Sequence, residues 1–477
     1  MVREQTRSTK KKSLLHQDLG TVAPEILSDP VIQQVAQCAR QAKVPLYLVG
    51  GAIRDALLGR VIKDYDFAVP NPPSSFLEQL GRLLQASVFP MGQGREEQVY
   101  RLVRGAQTID IAVMAGGDIN QDLMRRDFTI NALAYDVTAG EFFAVPQALG
   151  DLKAGRIDLV SLEALERDPL RMLRAVRYQC TLPGFTMTEG LQHAITQHRA
   201  LIATVAPERI TGELDQIILS PAPEMGLRVM HALGLLCLIF PELVPLEGLP
   251  QGRYHKTDAL THTVEIVGEV NRLVMQGNPF SLHPSEEGRL ILGYAALFHD
   301  LGKPATKSCD VGGEVHFYGH PQESSRLAQE IMHRLRFSNR VRDGVVRLVE
   351  NHMRILTLAR GKPLDKALRR LINLMGKAIR LLLLLGLAET GSKAGAEKEE
   401  QGRFMDLCQR ISDLYETEDL IAPEPLLRGR DLLALGFSPG PRMGEILAEV
   451  KEKQIAGELR KKEEAFNFVR EKFLLTS

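Results

Sequence analysis

A glycine pair and an acidic pair carry the first chemical signal in this chain. They lie in Leu48-Val49-Gly50-Gly51-Ala52-Ile53-Arg54-Asp55 and, shortly after, in Lys63-Asp64-Tyr65-Asp66-Phe67. Tyr65 to Val69 reads as a strand, so Asp64 and Asp66, at alternate positions, share a face. Two neighbouring carboxylates repel and stay ionised together only beside cations. Two Mg²⁺ ions roughly 3.5–4 Å apart would meet that need, activate an attacking hydroxyl and hold a leaving pyrophosphate. Gly50 and Gly51, lacking Cβ, let backbone N–H groups approach triphosphate oxygens, and the following helix turns its positive end to the same anion. Arg54 is placed to add charge. A tight turn and an exposed strand end would explain either half alone; both together at this spacing point to metal-dependent nucleotidyl transfer.

Three further segments extend the pattern. In Met124-Arg125-Arg126-Asp127-Phe128-Thr129-Ile130-Asn131, a helix would put Asp127 and Asn131 on one face, suited to hydroxyl recognition, although Asp127 also reads as a helix cap. In Glu166-Arg167-Asp168-Pro169-Leu170-Arg171-Met172-Leu173-Arg174-Ala175-Val176-Arg177-Tyr178, the Asp-Pro pair is an ordinary helix start. Arg171, Arg174 and Arg177 then form a basic stripe beside apolar Leu170, Leu173 and Val176. Asp110, in the alternating run Thr108 to Val113, is either a third metal ligand from a neighbouring strand or an aspartate facing solvent.

Taken in order, these segments resemble the motifs of the class II tRNA nucleotidyltransferase and bacterial poly(A) polymerase family, within the polymerase β-like superfamily. The resemblance implies an α+β chain: a polymerase β-like nucleotidyltransferase head with a small mixed sheet, then an all-helical neck, an HD domain and a helical tail. It implies Mg²⁺ on Asp64 and Asp66, with Asp110 a third catalytic acid, and nucleotide contacts from Gly50, Gly51, Arg54, Arg126, Asp127, Asn131, Asp168, Arg171, Arg174 and Arg177. Asp127 would engage the sugar. Asp168 and Arg171 would act as an amino-acid template for the base, because cytosine and adenine each offer an amino donor and a ring acceptor. Guanine and uracil present the opposite polarity, at roughly 1–3 kcal/mol per bad contact.

Two departures concern specificity. Arg167 stands where a glutamate usually precedes the aspartate. Between Asp110 and the Arg-Arg-Asp motif only Met114 to Asn120 and a few more residues intervene, a short connection resembling that of the CC-adding branch. The expectation is C addition to tRNA 3′ ends from CTP, with terminal A addition from ATP open. A poly(A) polymerase would share these residues; a phosphohydrolase or RNA-binding protein with a vestigial head is the reading from another class.

The second constellation is His262, His299-Asp300, His320 and His352. Leu297-Phe298-His299-Asp300-Leu301-Gly302-Lys303-Pro304 resembles an HD domain, a helical metal-dependent phosphohydrolase fold, though no closing aspartate is evident. Imidazole and carboxylate together suit a second divalent metal able to activate water against a phosphoester.

The chain has 477 residues, 44% of them hydrophobic, enough for several cores, and equal numbers of basic and acidic residues, 59 each. A nucleic acid must then be held by local patches, for which the Arg171 to Arg177 face and Lys366-Ala367-Leu368-Arg369-Arg370 are candidates. The cysteines, Cys38, Cys180, Cys237, Cys309 and Cys408, show neither close pairing nor metal-finger spacing, so a cytoplasmic enzyme is expected. Leu381 to Ala388 is too short to span a membrane and reads as a buried helix. The expected organisation is a disordered basic tail over 1–29, the head over 30–148, the neck with the base-reading motif over 149–240, the HD domain over 254–356 and a helical tail over 357–477. Pro241 to Arg253 reads as a linker, Gly391 to Glu400 as an exposed loop; oligomeric state is open.

Overall fold

The computed structural model describes residues 26, 28–62, 64–91, 98–105, 107–114, 117–251, 257–312, 314–392, 398–421 and 423–474. The expected tail up to residue 25, the end of the expected linker and the middle of the 391–400 loop lie outside them. The chain forms two compact units, one of residues 1–205 with 233–235, the other of 206–232 with 236–477.

The first unit is built on a mixed seven-stranded sheet. Helix α1 (Pro30–Ala42) starts at Asp29, whose carboxylate accepts from the N–H groups of Val31 and Ile32, and stops at Lys43 in the left-handed region. Then follow β1 (Tyr47–Val49), α2 (Gly51–Leu57), β2 (Tyr65–Val69), α3 (Ser74–Leu84), β3 (Ser87–Met91), β4 (Val99–Arg104), β5 (Gln107–Val113), α4 (Ile119–Met124), β6 (Leu133–Asp136) and β7 (Phe142–Ala144). The strand order is β3-β4-β5-β2-β1-β6-β7. Within it β2 and β5 run parallel and the other pairs antiparallel. On β2, Tyr65, Phe67, Ala68 and Val69 are buried and Asp66 is exposed, so the strand anchors itself through its apolar residues and offers one acid to solvent. The unit continues through α5 (Ala148–Ala154), a short parallel pair β8 (Arg156–Ile157) and β9 (Thr186–Met187), α6 (Glu163–Arg167), α7 (Arg171–Thr181) and α8 (Glu189–His198). Helix α7 buries Met172, Leu173, Ala175, Val176 and Tyr178, the apolar face expected from the sequence.

The second unit is helical apart from a small hairpin. Its helices include α9 (Pro207–Ile218), proline-led as the sequence indicates, α10 (Pro223–Ala232), α11 (Leu235–Ile239, which begins at the edge of the first unit), α12 (Ala259–Met275), α13 (Glu286–Phe298) and α14 (Lys303–Thr306). After the hairpin of β10 (Lys307–Cys309) and β11 (Val315–Phe317) come α15 (His320–Arg334), α16 (Asn339–Arg360), α17 (Asp365–Met375), α18 (Ile379–Ser392) and α19 (Lys398–Thr417). Helices α13 and α18 pack against each other, and each packs against both α12 and α16. The tail has its own small core, in which α20 (Gly429–Ala434), α21 (Pro441–Ile455) and α22 (Lys462–Val469) bury Leu432, Ile446, Val450, Ala465 and Val469.

Asp365–Gly391 is long and apolar enough by composition to cross a membrane. It is two helices, however, broken at Gly376 where φ is +56°, and it carries buried Arg369 and Glu389. Leu382 to Leu385 are fully buried, so the leucine run is the core helix expected.

Candidate functional sites

Gly50 joins β1 to α2 at φ +71° and ψ −129°, a conformation that L side chains rarely adopt. Space is tight as well, since a Cβ there would stand 3.0 Å from the Arg126 guanidinium, which would have to give way slightly. Asp64 and Asp66 are both exposed, and Asp66 faces Asp110 across the parallel β2/β5 pairing. On the other side of Asp110, Arg101 of β4 donates to both of its oxygens, at 2.8 and 2.7 Å. Although Asp66 as a residue is exposed, loss of hydration around its carboxyl, then the charge of Asp110, raises its pKa; Asp64 adds to the rise and Arg126 opposes it. Such a surplus of negative charge on oxygen donors fits a hard cation such as Mg²⁺.

Behind this edge lies a chain of buried polar contacts. Asp127 and Asn131 do meet, the Asn131 amide donating to Asp127 at 3.1 Å. They do so around a 3₁₀ turn (Thr129–Asn131) and not on one face of an α-helix as the spacing suggested. Burial disfavours charge on Asp127, but Arg174 at 2.7 Å, the Asn131 amide and the Phe128 N–H outweigh it and hold the carboxyl below its ordinary range. Asn131 accepts in turn from Arg54 at 2.6 Å, and Arg54 also donates to Asp55. Arg54 is therefore buried and turned inward, stacked 5.0 Å over the Tyr178 ring, which Arg177 also covers at 4.5 Å.

The arginine stripe of α7 exists and is half-exposed, and each of its arginines also has a partner within the protein. Arg171 donates to the backbone carbonyls of Arg125 and Arg126, Arg174 reaches Asp127 and Arg177 lies on Tyr178. The Lys366 to Arg370 run is likewise engaged, Arg369 with Glu418 and Arg370 with Glu452. Asp168 is not the cap of α7, which begins three residues later at Arg171; it ends α6, and its carboxylate accepts from the Leu170 N–H at 3.3 Å. That turn sets Asp168 just ahead of Arg171.

In the second unit His262 on α12, His299 and Asp300 after α13, His320 at the start of α15 and His352 on α16 converge as expected, all buried. Sequence reasoning missed the acid that closes the cluster: Glu389 on α18, 2.6 Å from His299 Nε2 and 3.3 Å from His262 Nε2. Its signal was a lone carboxylate within an apolar run. Lys303 was missed too, and its ammonium lies 2.5 Å from Asp300. Burial disfavours charge on His299, but Asp300 and Glu389 prevail and raise its pKa to about 10. Two cations thus balance two buried carboxylates. Gly302 is required where the chain passes α15: a Cβ would fall 2.5 Å from the His320 carbonyl oxygen.

A Gly-Gly turn beside paired strand carboxylates on a mixed sheet defines a nucleotidyltransferase head. Residues 46–158 match the poly A polymerase head domain family, 184–246 a probable RNA and SrmB-binding site of polymerase A, and 322–469 the putative domain 2 of tRNA nucleotidyltransferases. Among curated proteins, the A-adding tRNA nucleotidyltransferase of Deinococcus radiodurans is 35% identical over 88% of this chain and 94% of its own. The CC-adding tRNA nucleotidyltransferase of Thermus thermophilus is also 35% identical, over 88% and 92%. The Multifunctional CCA protein of Pasteurella multocida is 30% identical over 79% and 91%. In fold, the chain is similar to the Thermotoga maritima CCA-adding enzyme complexed with tRNA, with a TM-score of 0.60 and 21% identity over 95% of this chain and 98% of that one. The Bacillus stearothermophilus CCA-adding enzyme in complex with CTP matches with a TM-score of 0.63, also at 21%, over 94% and 99%. The chain belongs to the class II tRNA nucleotidyltransferase family and is an enzyme of that type.

Proposed function

We propose that this enzyme adds C residues, from CTP, to the 3′ ends of tRNA in the cytoplasm. The observation that carries the transferase reading is the matched pair Asp66 and Asp110 beside the Gly50-Gly51 turn. Asp64 and Asp66 would hold Mg²⁺, with Asp110 alongside; bound there, the ions would activate the 3′ hydroxyl and stabilise the departing pyrophosphate. The protein supplies the rest. Gly50 and Gly51 leave room for the triphosphate at the start of α2, and Arg126, held over Gly50 by Asp122, brings positive charge to it. Asp168 and Arg171 read the base edge. Arg54, Asp127, Asn131, Arg174 and Arg177 form the braced wall behind them, and Arg171 ties down the Arg125-Arg126 backbone; Asp127 and Asn131 also face the sugar in this reading.

The choice of C over A rests on the short connection between β5 and α4, residues 114–118. Incubating the enzyme with tRNA lacking its 3′ end, with CTP and ATP singly and together, tests it. Addition of C alone in the mixture supports the reading; a full CCA end, or A added only to tRNA ending in CC, overturns it. Long adenylate tracts on an unrelated oligonucleotide would identify a poly(A) polymerase instead.

The convergence of four imidazoles and two carboxylates favours a second activity, metal-dependent hydrolysis of phosphoesters in the second unit. His299, His320 and His352 each turn Nδ1 to a backbone carbonyl, of Ala296, Phe317 and Val349, which leaves Nε2 for the centre and fits a transition-metal donor set. Assaying a 2′,3′-cyclic phosphate with Mn²⁺ or Ni²⁺ tests this; equal background with His299→Ala and Asp300→Ala removes it.

A further inference from the structure

We propose that Phe89 and Met91, on the edge strand β3, form a stacking platform for the tRNA bases just 5′ of the reacting 3′ end. This rests on the assignment of Asp66 and Asp110 to the catalytic centre and adds how the acceptor strand is held beside it.

The observation is a row of four side chains across the sheet. Phe89 of β3 pairs with Arg101 of β4, Arg101 with Asp110 of β5, and Asp110 with Asp66 of β2. Directly paired residues share a face, so Phe89 projects from the side of the sheet that carries the catalytic acids, and Met91, two residues on, projects with it. Val88 turns the other way and packs on α3, where a Cβ at Gly81 would stand 2.8 Å from it.

Phe89 is 52% exposed and Met91 41%. Apolar groups left open to water beside a reaction site mark a surface that something covers. A nucleobase suits both, since every base offers a π-face to an aromatic ring and the thioether packs well on rings. Arg101 stands between this pair and the acids. Its side chain stays 40% exposed while it clasps Asp110, so it offers charge to the phosphates of a strand running along the row. Three strand spacings, about 14 Å, separate β3 from β2. That is about four nucleotides of a stacked strand at about 3.4 Å each, so the base on Phe89 belongs to the acceptor end and not to the incoming nucleotide. Pro90, with no N–H to donate, blunts β3 against pairing with the edge of a second chain.

The test uses the full-length chain, which contains no tryptophan. Phe89→Trp therefore creates a single fluorescent reporter that can still stack. Titrated with tRNA lacking its 3′ end, its emission should be quenched, and abasic sites placed singly at the last four positions should show which base quenches it. In single-nucleotide addition, Phe89→Ala and Phe89→Leu should each raise KM for tRNA about 5- to 150-fold, the range for loss of one stacked base, with KM for CTP unchanged. Phe89→Trp should keep the wild-type KM. A wild-type KM for tRNA in Phe89→Ala, or Phe89→Trp emission indifferent to tRNA, overturns the platform and leaves the catalytic assignment standing. Extension by Asp66→Asn at the wild-type rate removes that assignment and the platform with it. Loss of self-association in Phe89→Ala by sedimentation, with KM for tRNA unchanged, makes the patch a contact between copies and overturns the RNA reading. Should Phe89→Ala fail to fold by circular dichroism, the Phe89→Trp titration decides.

Discussion

Asp66 and Asp110 occupy matched positions on the parallel strands β2 and β5, and Arg101 clasps Asp110 from the far side with two hydrogen bonds. The clasp fixes which way the Asp110 carboxylate points without neutralising Asp66. Removing it should leave the fold intact and the acids misdirected. Arg101→Ala is expected to lower kcat about 10- to 100-fold, the usual cost of losing a ligand's supporting partner, and to raise the Mg²⁺ concentration needed for half-maximal rate. A Mg²⁺ titration of single-nucleotide addition checks both.

Asp110 itself is tested by substitution. Asp110→Ala should fall as far as Asp64→Ala if it serves the ions as Asp66 does; near-normal turnover would leave Asp110 with a structural role only.

Gly50→Ala faces a double obstacle, the positive φ and the Arg126 guanidinium at 3.0 Å. The backbone strain alone costs about 1–3 kcal/mol. The variant should melt at lower temperature and show a raised KM for CTP, because Arg126 is displaced from its place over the turn; steady-state kinetics with thermal melting measures the two effects.

Arg174→Met leaves the Asp127 carboxylate buried and short of its principal cation. Loss of one partner of a buried pair costs about 3–5 kcal/mol, and the low end is expected here because the Arg174 side chain is about one-third exposed. Adding Asp127→Asn should recover part of that stability in chemical denaturation while leaving activity low.

Much of this was legible in the sequence because it is local. The Gly-Gly turn, the alternation on β5 and the apolar face of α7 depend on residues a few positions apart, and the structure keeps them; on β2 the strand begins after Asp64, and Phe67, Ala68 and Val69 are all buried. Arg101 was recoverable by counting: a hairpin that pairs Arg104 with Gln107 pairs Arg101 with Asp110. Others were beyond local patterns. Asp127 and Asn131 have helical spacing, but a 3₁₀ turn joins them equally well. The stripe from Arg171 to Arg177 is legible as the polar side of an amphipathic helix, but periodicity does not report the partners its arginines take. Glu389 comes from a helix distant in sequence from the histidines it closes on, so only the packing of α18 against α12 and α16 reveals it.

Asp215 gives a pH-dependent test. Its carboxyl, half-buried, accepts from Tyr294 at 2.7 Å, and burial raises its pKa to about 6. The folded state thus binds the proton more tightly than the unfolded chain. The stability it contributes is complete below about pH 4 and is lost as pH rises through about 6. Asp215→Asn keeps an acceptor for Tyr294 without the charge. It should therefore raise Tm relative to wild type at pH 8 and show little difference at pH 4.5, as scanning calorimetry at both pH values would record.

The most direct measurement is single-turnover extension of a tRNA lacking its 3′ end, with CTP and Mg²⁺, by the wild type and by Asp66→Asn shown to be folded. Rapid addition of C by the wild type, and loss of at least a thousandfold in rate with Asp66→Asn, is the expected result; comparable extension by both proteins would contradict the assignment of the catalytic centre to this strand.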